Sequence, residues 1–184
     1  MINYQILYEG VIFLEKQVTK YIGYNVRITG LEMADTYKQL ALADRDAADI
    51  LFSQKLYNQA VYMYIQSMEK NIKSCICNKI NVTLPFYASK LREIGHSLDN
   101  SILFLIEILS GNDNGLKSQL NKQLLKGVFE EINFRKLHNN CRYPKYNENS
   151  EIYYVLNISE KDCIRIKEIA TKLDLFLDDF YKIQ

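Results

Sequence analysis

Hydrophobic side chains recur every three or four residues along most of this chain, a spacing that predicts amphipathic helices. The clearest case is residues 57–80, whose stripe persists for about four turns. Its apolar positions are Val61, Ile65, Met68, Ile72 and Ile76. The segment therefore predicts a central helix with one buried stripe. Glu69 and Lys73 are one turn apart, and we expect them on the solvent side, in the order that favours an ion pair.

Five further segments carry the same spacing. We predict helices at residues 4–22, 33–54, 97–110, 116–132 and from 159 onward. The last has the clearest start, because Ser159 and Asp162 match a variant of the capping box. No helix breaker precedes Pro144 after residue 132, so the helix at 116–132 is expected to extend towards Cys141. Pro85 is expected to prevent a straight continuation of the central helix.

The helix at 33–54 carries small residues on the face that we assign to the core. That face contains Tyr37, Leu40, Ala41, Ala47, Ala48 and Leu51. Alanines let two helix axes approach closely, so we expect this helix to pair antiparallel with the central one. The charged run at 44–46 is most simply a solvated face.

These elements predict an all-α protein, an up-and-down bundle of about five to six helices. Of the 184 residues, 48% are hydrophobic, which is enough to form one core. There are only two prolines and seven glycines, which favours long helices. Residues 1–35 are expected to form a helical extension or arm, packed on the bundle or reaching a second subunit. Residues 36–184 are expected to form the bundle itself.

Composition narrows the class of protein. No apolar run reaches the roughly 18 residues of a membrane span, and the first ten residues do not resemble a signal peptide. Cys75 and Cys77 are too close along a helix to bridge comfortably, so a reduced, cytoplasmic protein is expected. The formal net charge is +1, so any surface for nucleic acid must be local.

The sequence RKLHNNCRYP at 135–144 is the strongest candidate for chemistry. On a continuous helix, Arg135, His138 and Arg142 would share a face. Two guanidiniums beside an imidazole suit a phosphate, because arginine supplies charged donors and histidine transfers protons near neutral pH. Asn139 would add a neutral hydrogen bond. The simpler alternative is that Arg135 pairs with Glu131, while the other two cations stabilise a helix C-terminus.

Two other assignments are weaker. Cys75, Cys77, His138 and Cys141 would supply four ligands for zinc, but their spacing is not the usual paired form. We therefore expect no metal and no other cofactor. His96, which precedes a predicted helix, is expected to cap or pack rather than to catalyse.

Three stretches together resemble the HEPN (higher eukaryote and prokaryote nucleotide-binding) superfamily. Residues 43–76 resemble its leading helix pair, with Ala60-Val61 and Glu69-Lys70 followed by Lys73. His96-Ser97-Leu98 is similar to the His-x-Leu before its third helix. Arg142-Tyr143-Pro144 is similar to an Arg-Tyr-Pro that follows its fourth helix. The resemblance covers residues 36–181.

The resemblance implies a helical bundle that dimerises, with its active or binding groove at the dimer interface. Many members are metal-independent ribonucleases of toxin–antitoxin or phage-defence systems, in which an Arg precedes a His with four to six residues between them. No Arg in this chain has that spacing: two residues separate Arg135 from His138, and three separate Arg92 from His96. Other members bind nucleotides or partner proteins, often beside a small nucleotidyltransferase.

Three hypotheses follow. We favour a non-catalytic or diverged HEPN domain, a homodimer that binds a nucleotide, RNA or a protein such as a nucleotidyltransferase or an antitoxin. Its ligand-binding residues would be Arg135, His138, Asn139, Arg142 and Tyr143. The second hypothesis is a ribonuclease that uses Arg135 and His138 as its catalytic pair. The third is a purely structural dimerisation module.

Overall fold

The computed structural model describes residues 27–182, with side chains as far as residue 179. Within this range the chain forms helices α1 Met33–Ser53, α2 Tyr57–Lys79, α3 Pro85–Ile94, α4 Leu98–Ser110, α5 Asn114–Asn121, α6 Phe134–Asn140 and α7 Glu160–Lys182. A 3₁₀ turn precedes α1, and a π-helical segment, Lys122–Val128, continues α5. Strands β1, Lys145–Asn147, and β2, Ile152–Tyr154, form a small antiparallel hairpin. The prediction of an all-α helical bundle is confirmed.

Two predictions concern the part of the chain before residue 27. The helix at 4–22 lies outside the described residues, as does most of the proposed arm at 1–35. None of the helices in the described range combines the length and the apolar character needed to cross a bilayer.

Helix α2 is the centre of the bundle, with α1, α4 and α7 packed around it. It pairs with α1 in the antiparallel manner that the alanines predict. Ser67 and Ser74 each donate a hydrogen bond of 2.8 Å, to the carbonyls of Ala41 and Ala34 respectively. Ala48 completes this buried face, with one small side chain every seven residues. The assignment of Leu40 to the same face is wrong, because 45% of this residue is exposed.

The charged run at 44–46 is less solvated than its composition predicts. Arg45 Nη2 lies 2.7 Å from Asp174 Oδ2 of α7, and Lys70 Nζ of α2 lies 2.5 Å from Asp44 Oδ2. Both pairs are partly buried. These two pairs therefore tie α1 to its neighbours in addition to the alanine contacts.

The helix after residue 114 does not extend to Cys141, contrary to the prediction. Two residues with left-handed backbone, Glu130 (φ 52°) and Glu131 (φ 57°), follow the π segment, and Asn133 then caps α6. The reason lies in the core: Phe129 and Phe134 are both 1% exposed, with ring centroids 5.5 Å apart. A straight helix would place these residues about 140° apart, so the turn is what buries both rings.

The starts of α3 and α7 are both marked by local sequence signals, a proline and a capping box. Pro85 stands at the first turn of α3, a position that favours proline, so it begins a helix that the sequence did not predict. The capping box is confirmed: the Ser159 N–H donates to Asp162 Oδ2 and the Asp162 N–H donates to Ser159 Oγ, both at 3.2 Å.

Candidate functional site

A line of polar side chains runs along the buried helix α2. Glu69 and Lys73 are 2% and 5% exposed, with Lys73 Nζ 2.6 Å from Glu69 Oε1. The expectation that this pair faces solvent is wrong, although the pairing itself is correct. The reason is that α2 is enclosed on several sides, so a position opposite its apolar stripe is still inside the bundle.

The buried ion pair holds the turn between α3 and α4. Lys73 Nζ donates to the Gly95 carbonyl at 2.6 Å, and His96 Nδ1 lies 3.7 Å from Glu69 Oε1. Gly95 has a φ of +58°, which a residue with a Cβ would adopt only with strain. The side chain of His96 is 84% exposed. It therefore lies at the surface, at the outer end of the buried pair.

His138 of α6 lies at the inner end of the same polar line. It is 8% exposed, and its Nε2 is 2.9 Å from Nε2 of Gln66. An amide nitrogen only donates, so His138 Nε2 accepts and its ring proton is on Nδ1. Gln66 Nε2 is also 3.5 Å from Glu69 Oε2, which links the histidine to the ion pair.

Burial lowers the pKa of His138 from its ordinary value, and the charges of Arg142 and His96 act in the same direction. A hydrogen bond with Asn139 and the charge of Glu69 oppose this lowering. This lowering favours the neutral form of the imidazole.

Arg142 lies outside this buried line, against two aromatic rings. Its Cζ is 5.2 Å from the ring centroid of Tyr62 and 4.8 Å from that of Tyr143. One of its N–H groups donates to Tyr143 Oη at 2.7 Å. Tyr62 also stacks on the His138 ring, with centroids 4.8 Å apart and planes 29° apart. An exposed guanidinium is thus held on tyrosine rings beside a buried imidazole.

The structure separates Arg135 from the other predicted site residues. His138, Asn139, Arg142 and Tyr143 lie together at the end of α6. Arg135 instead contacts the start of α4: its backbone N–H donates to Asp99 Oδ2 at 2.7 Å and its Nη2 donates to Asn100 Oδ1 at 3.1 Å. The simpler pairing of Arg135 with Glu131 is not formed in the described range, where the ion pair of Glu131 is with Lys126.

Sequence reasoning missed the α2 half of this site. Tyr62, Gln66, Glu69 and Lys73 follow one another at spacings of four, three and four residues, which places them on one face. A polar stripe on the most central helix was the available signal. The sequence analysis places Glu69 and Lys73 on the solvent side, because a sequence does not show how many helices surround a given one.

The thiols form no recognisable metal centre. None of Cys75, Cys77, Cys141 and Cys163 is in a disulfide, and burial raises the pKa of the last three to about 11. Between residues 27 and 182, no group of three or more His, Cys, Asp or Glu side chains is arranged to hold a metal ion.

Comparison of the chain with models of known protein families, with characterised proteins and with solved structures found no match. What the site can do must therefore be inferred from its side chains. The exposed Arg142 offers charged donors for an anion, and the tyrosine rings offer flat surfaces beside it.

Titration of His138 should be visible in the stability of the protein. Because the folded state lowers its pKa, the unfolded chain binds more protons just below the ordinary value of 6.5. We expect the free energy of unfolding to fall as the pH drops through this range, and the fall to be smaller in His138→Gln. Urea denaturation between pH 5 and 8 measures this free energy for both proteins. If it depends on pH in the same way in wild type and variant, the pH dependence comes from other groups.

Proposed function

We propose that this chain is a HEPN-like domain that binds a nucleotide or RNA through a phosphate at Arg142, without cleaving it. The observation that carries the proposal is the exposed Arg142 guanidinium against the rings of Tyr62 and Tyr143, next to the buried His138. Proteins that read single-stranded RNA stack bases on aromatic or guanidinium planes and contact phosphates with charged donors.

Arg142 is well placed for such binding. Its guanidinium has five N–H donors, of which one is used by Tyr143. The two rings restrict the side chain before a ligand arrives, which reduces the entropy lost on binding. Asn139, exposed and one turn away, adds a neutral donor and acceptor.

The buried state of His138 favours binding over cleavage. A general acid or base must lie within hydrogen-bond reach of the reacting atoms. His138 Nε2 is occupied by Gln66, its ring face is covered by Tyr62, and Arg135 is directed towards α4. The Arg135 and His138 pair of the ribonuclease hypothesis is therefore not assembled in this arrangement.

The proposed homodimer rests on the resemblance to HEPN proteins. Helices α1 and α7 offer surface for it, because Leu42, Ile50 and Leu175 are each more than half exposed. A nucleotidyltransferase or an antitoxin is the partner protein that the same resemblance indicates. Sedimentation at several protein concentrations tests the homodimer directly, and a strict monomer would contradict it.

Binding is tested with fluorescent single-stranded RNA and with ATP, measured by anisotropy for wild type, Arg142→Ala and Lys117→Ala. We expect Arg142→Ala to weaken binding about tenfold or more, the usual loss for a hydrogen-bonded charge. Lys117 is exposed on α5 and carries the same charge, so its variant controls for non-specific attraction. The salt dependence of binding should also become less steep in Arg142→Ala.

The same RNA, analysed for fragments, separates the alternatives. Cleavage by the wild type that disappears in His138→Ala would establish the ribonuclease instead. If neither RNA nor ATP binds, the proposal is overturned and a dimerisation module remains.

A further inference from the structure

A cavity of about 710 Å³ lies between α4, the π segment that continues α5, and the turn before α6. This volume is within the range of roughly 300–1,000 Å³ that small-molecule sites occupy. Its apolar lining consists of Ile102, Leu125, Phe129, Ile132 and Phe134. Both phenylalanines and Ile102 are 1% exposed, so the floor of the cavity is part of the ordered core.

Polar and charged side chains lie above this floor. Ser118, Asn121, Lys122 and Lys126 come from one face of the helix, together with Leu125 and Phe129. Both lysines are exposed. Lys126 Nζ is 3.8 Å from Glu131 Oε1, a loose pair at the surface, whereas Lys122 has no carboxylate partner among residues 27–182. The remaining acid, Asp99, already accepts the backbone N–H of Arg135.

The backbone that forms the cavity is unusual and is held in place. The widened helix closes with a hydrogen bond from the Phe129 N–H to the Leu124 carbonyl at 2.8 Å, and π-helical turns often occur at functional sites. Glu130, whose φ is 52°, is anchored to α7 by Arg165 at 2.7 Å and by Lys172 at 2.9 Å. Left-handed backbone at such a residue costs energy and persists only where its surroundings enforce it.

From this geometry we infer a second binding site, for a small amphipathic anion. The apolar body of the ligand packs on Leu125 and Ile132, which are partly exposed beside the buried rings of Phe129 and Phe134. Its single carboxylate or phosphate group lies between Lys122 and Lys126 and replaces Glu131 as the partner of Lys126. A cation would face two lysines, and an uncharged chain would leave them unused, so charge complementarity selects the anion.

This site is independent of the one proposed at Arg142. None of the residues that line the cavity belongs to the cluster of Tyr62, His138 and Arg142. Arg135 connects to the cavity instead, through its bond to Asp99. The Arg142→Ala variant should therefore bind the amphipathic ligand as the wild type does.

Titration calorimetry with decanoate, decyl phosphate and decanol tests the inference on the full chain. We expect one of the two anions or both to bind, and decanol to bind more weakly. The double variant Lys122→Gln/Lys126→Gln should weaken anion binding roughly fivefold or more, as loss of two surface ion pairs implies. Lys117→Gln/Lys161→Gln removes the same charge from exposed positions that do not line the cavity, and should change binding less than about twofold.

A second variant separates the cavity from general attraction. Ser118 is exposed at the cavity wall, so Ser118→Phe should fill space without unfolding the protein and should abolish binding of all three ligands. Binding of decyl phosphate alone would identify phosphate as the head group. The inference is overturned if neither anion binds, if decanol binds as tightly as both anions, or if Ser118→Phe leaves binding unchanged.

Discussion

Replacing Glu69 by glutamine is expected to lower the free energy of unfolding by about 3–5 kcal/mol, because it leaves a buried ammonium group without its carboxylate. Lys73 is 5% exposed and lies 2.6 Å from Glu69 Oε1. The nearly equal size of the two side chains means that the loss reports charge rather than packing. Urea denaturation at pH 7 measures it. The turn at Gly95 should loosen too, since Lys73 also donates to its carbonyl.

Two further variants sharpen this test. Glu107→Gln makes the same chemical change at an exposed position of α4 and should shift stability by less than about 0.5 kcal/mol. The double variant Glu69→Leu/Lys73→Met removes both charges, and we expect it to be no less stable than Glu69→Gln, since apolar replacement of a buried pair is often neutral. If Glu69→Gln and Glu107→Gln cost the same, Glu69 is not buried as described.

Replacing Phe134 by alanine is expected to cost about 3–5 kcal/mol, the usual loss for a large aromatic side chain in a core. Phe134 is 1% exposed, packs edge-to-face on Phe129 and begins α6. Its removal leaves a void beneath the helix that carries His138. The measurement is again the free energy of unfolding, with near-ultraviolet circular dichroism to follow packing of the aromatic rings.

The matched control for this variant is Phe86→Ala on α3. Phe86 is 65% exposed, so we expect a loss below about 1 kcal/mol. Phe134→Leu keeps most of the apolar volume and should cost less than Phe134→Ala. Equal losses for Phe134→Ala and Phe86→Ala would contradict the burial of Phe134 and, with it, the turn that separates α5 from α6.

Arg135 and Arg142, which the sequence pattern assigns to one anion site, lie in different places in the structure. Arg142 contacts tyrosine rings next to His138, whereas Arg135 is bonded to Asp99 and Asn100 beside the cavity. A sequence pattern that reads Arg135, His138 and Arg142 as one anion site therefore combines residues from two places. The end of α6 at Asn140, before Arg142, and the bonds of Arg135 to the start of α4 account for the difference.

Local signals were sufficient for most helices. The spacing of apolar residues predicted α1, α2, α4 and α7 because a helical period of 3.6 residues is set by the backbone alone. The capping box at Ser159 and Asp162 was likewise readable, since a cap requires only residues three positions apart. Even the ion pair of Glu69 and Lys73 was predictable from their spacing of four.

Only the tertiary structure decided which polar residues of these helices are exposed to solvent. Glu69 and Lys73 are buried because three helices surround α2, and the pKa of His138 is lowered because its neighbours, Gln66 and Tyr62 among them, bury the ring. The break before Phe134 depends on where Phe129 finds space in the core. The sequence alone predicted α1, α2, α4 and α7, since helical hydrogen bonding and capping act over a few residues. Burial, charge state and the grouping of site residues were decided by contacts between segments distant along the chain, because desolvation depends on every neighbour at once.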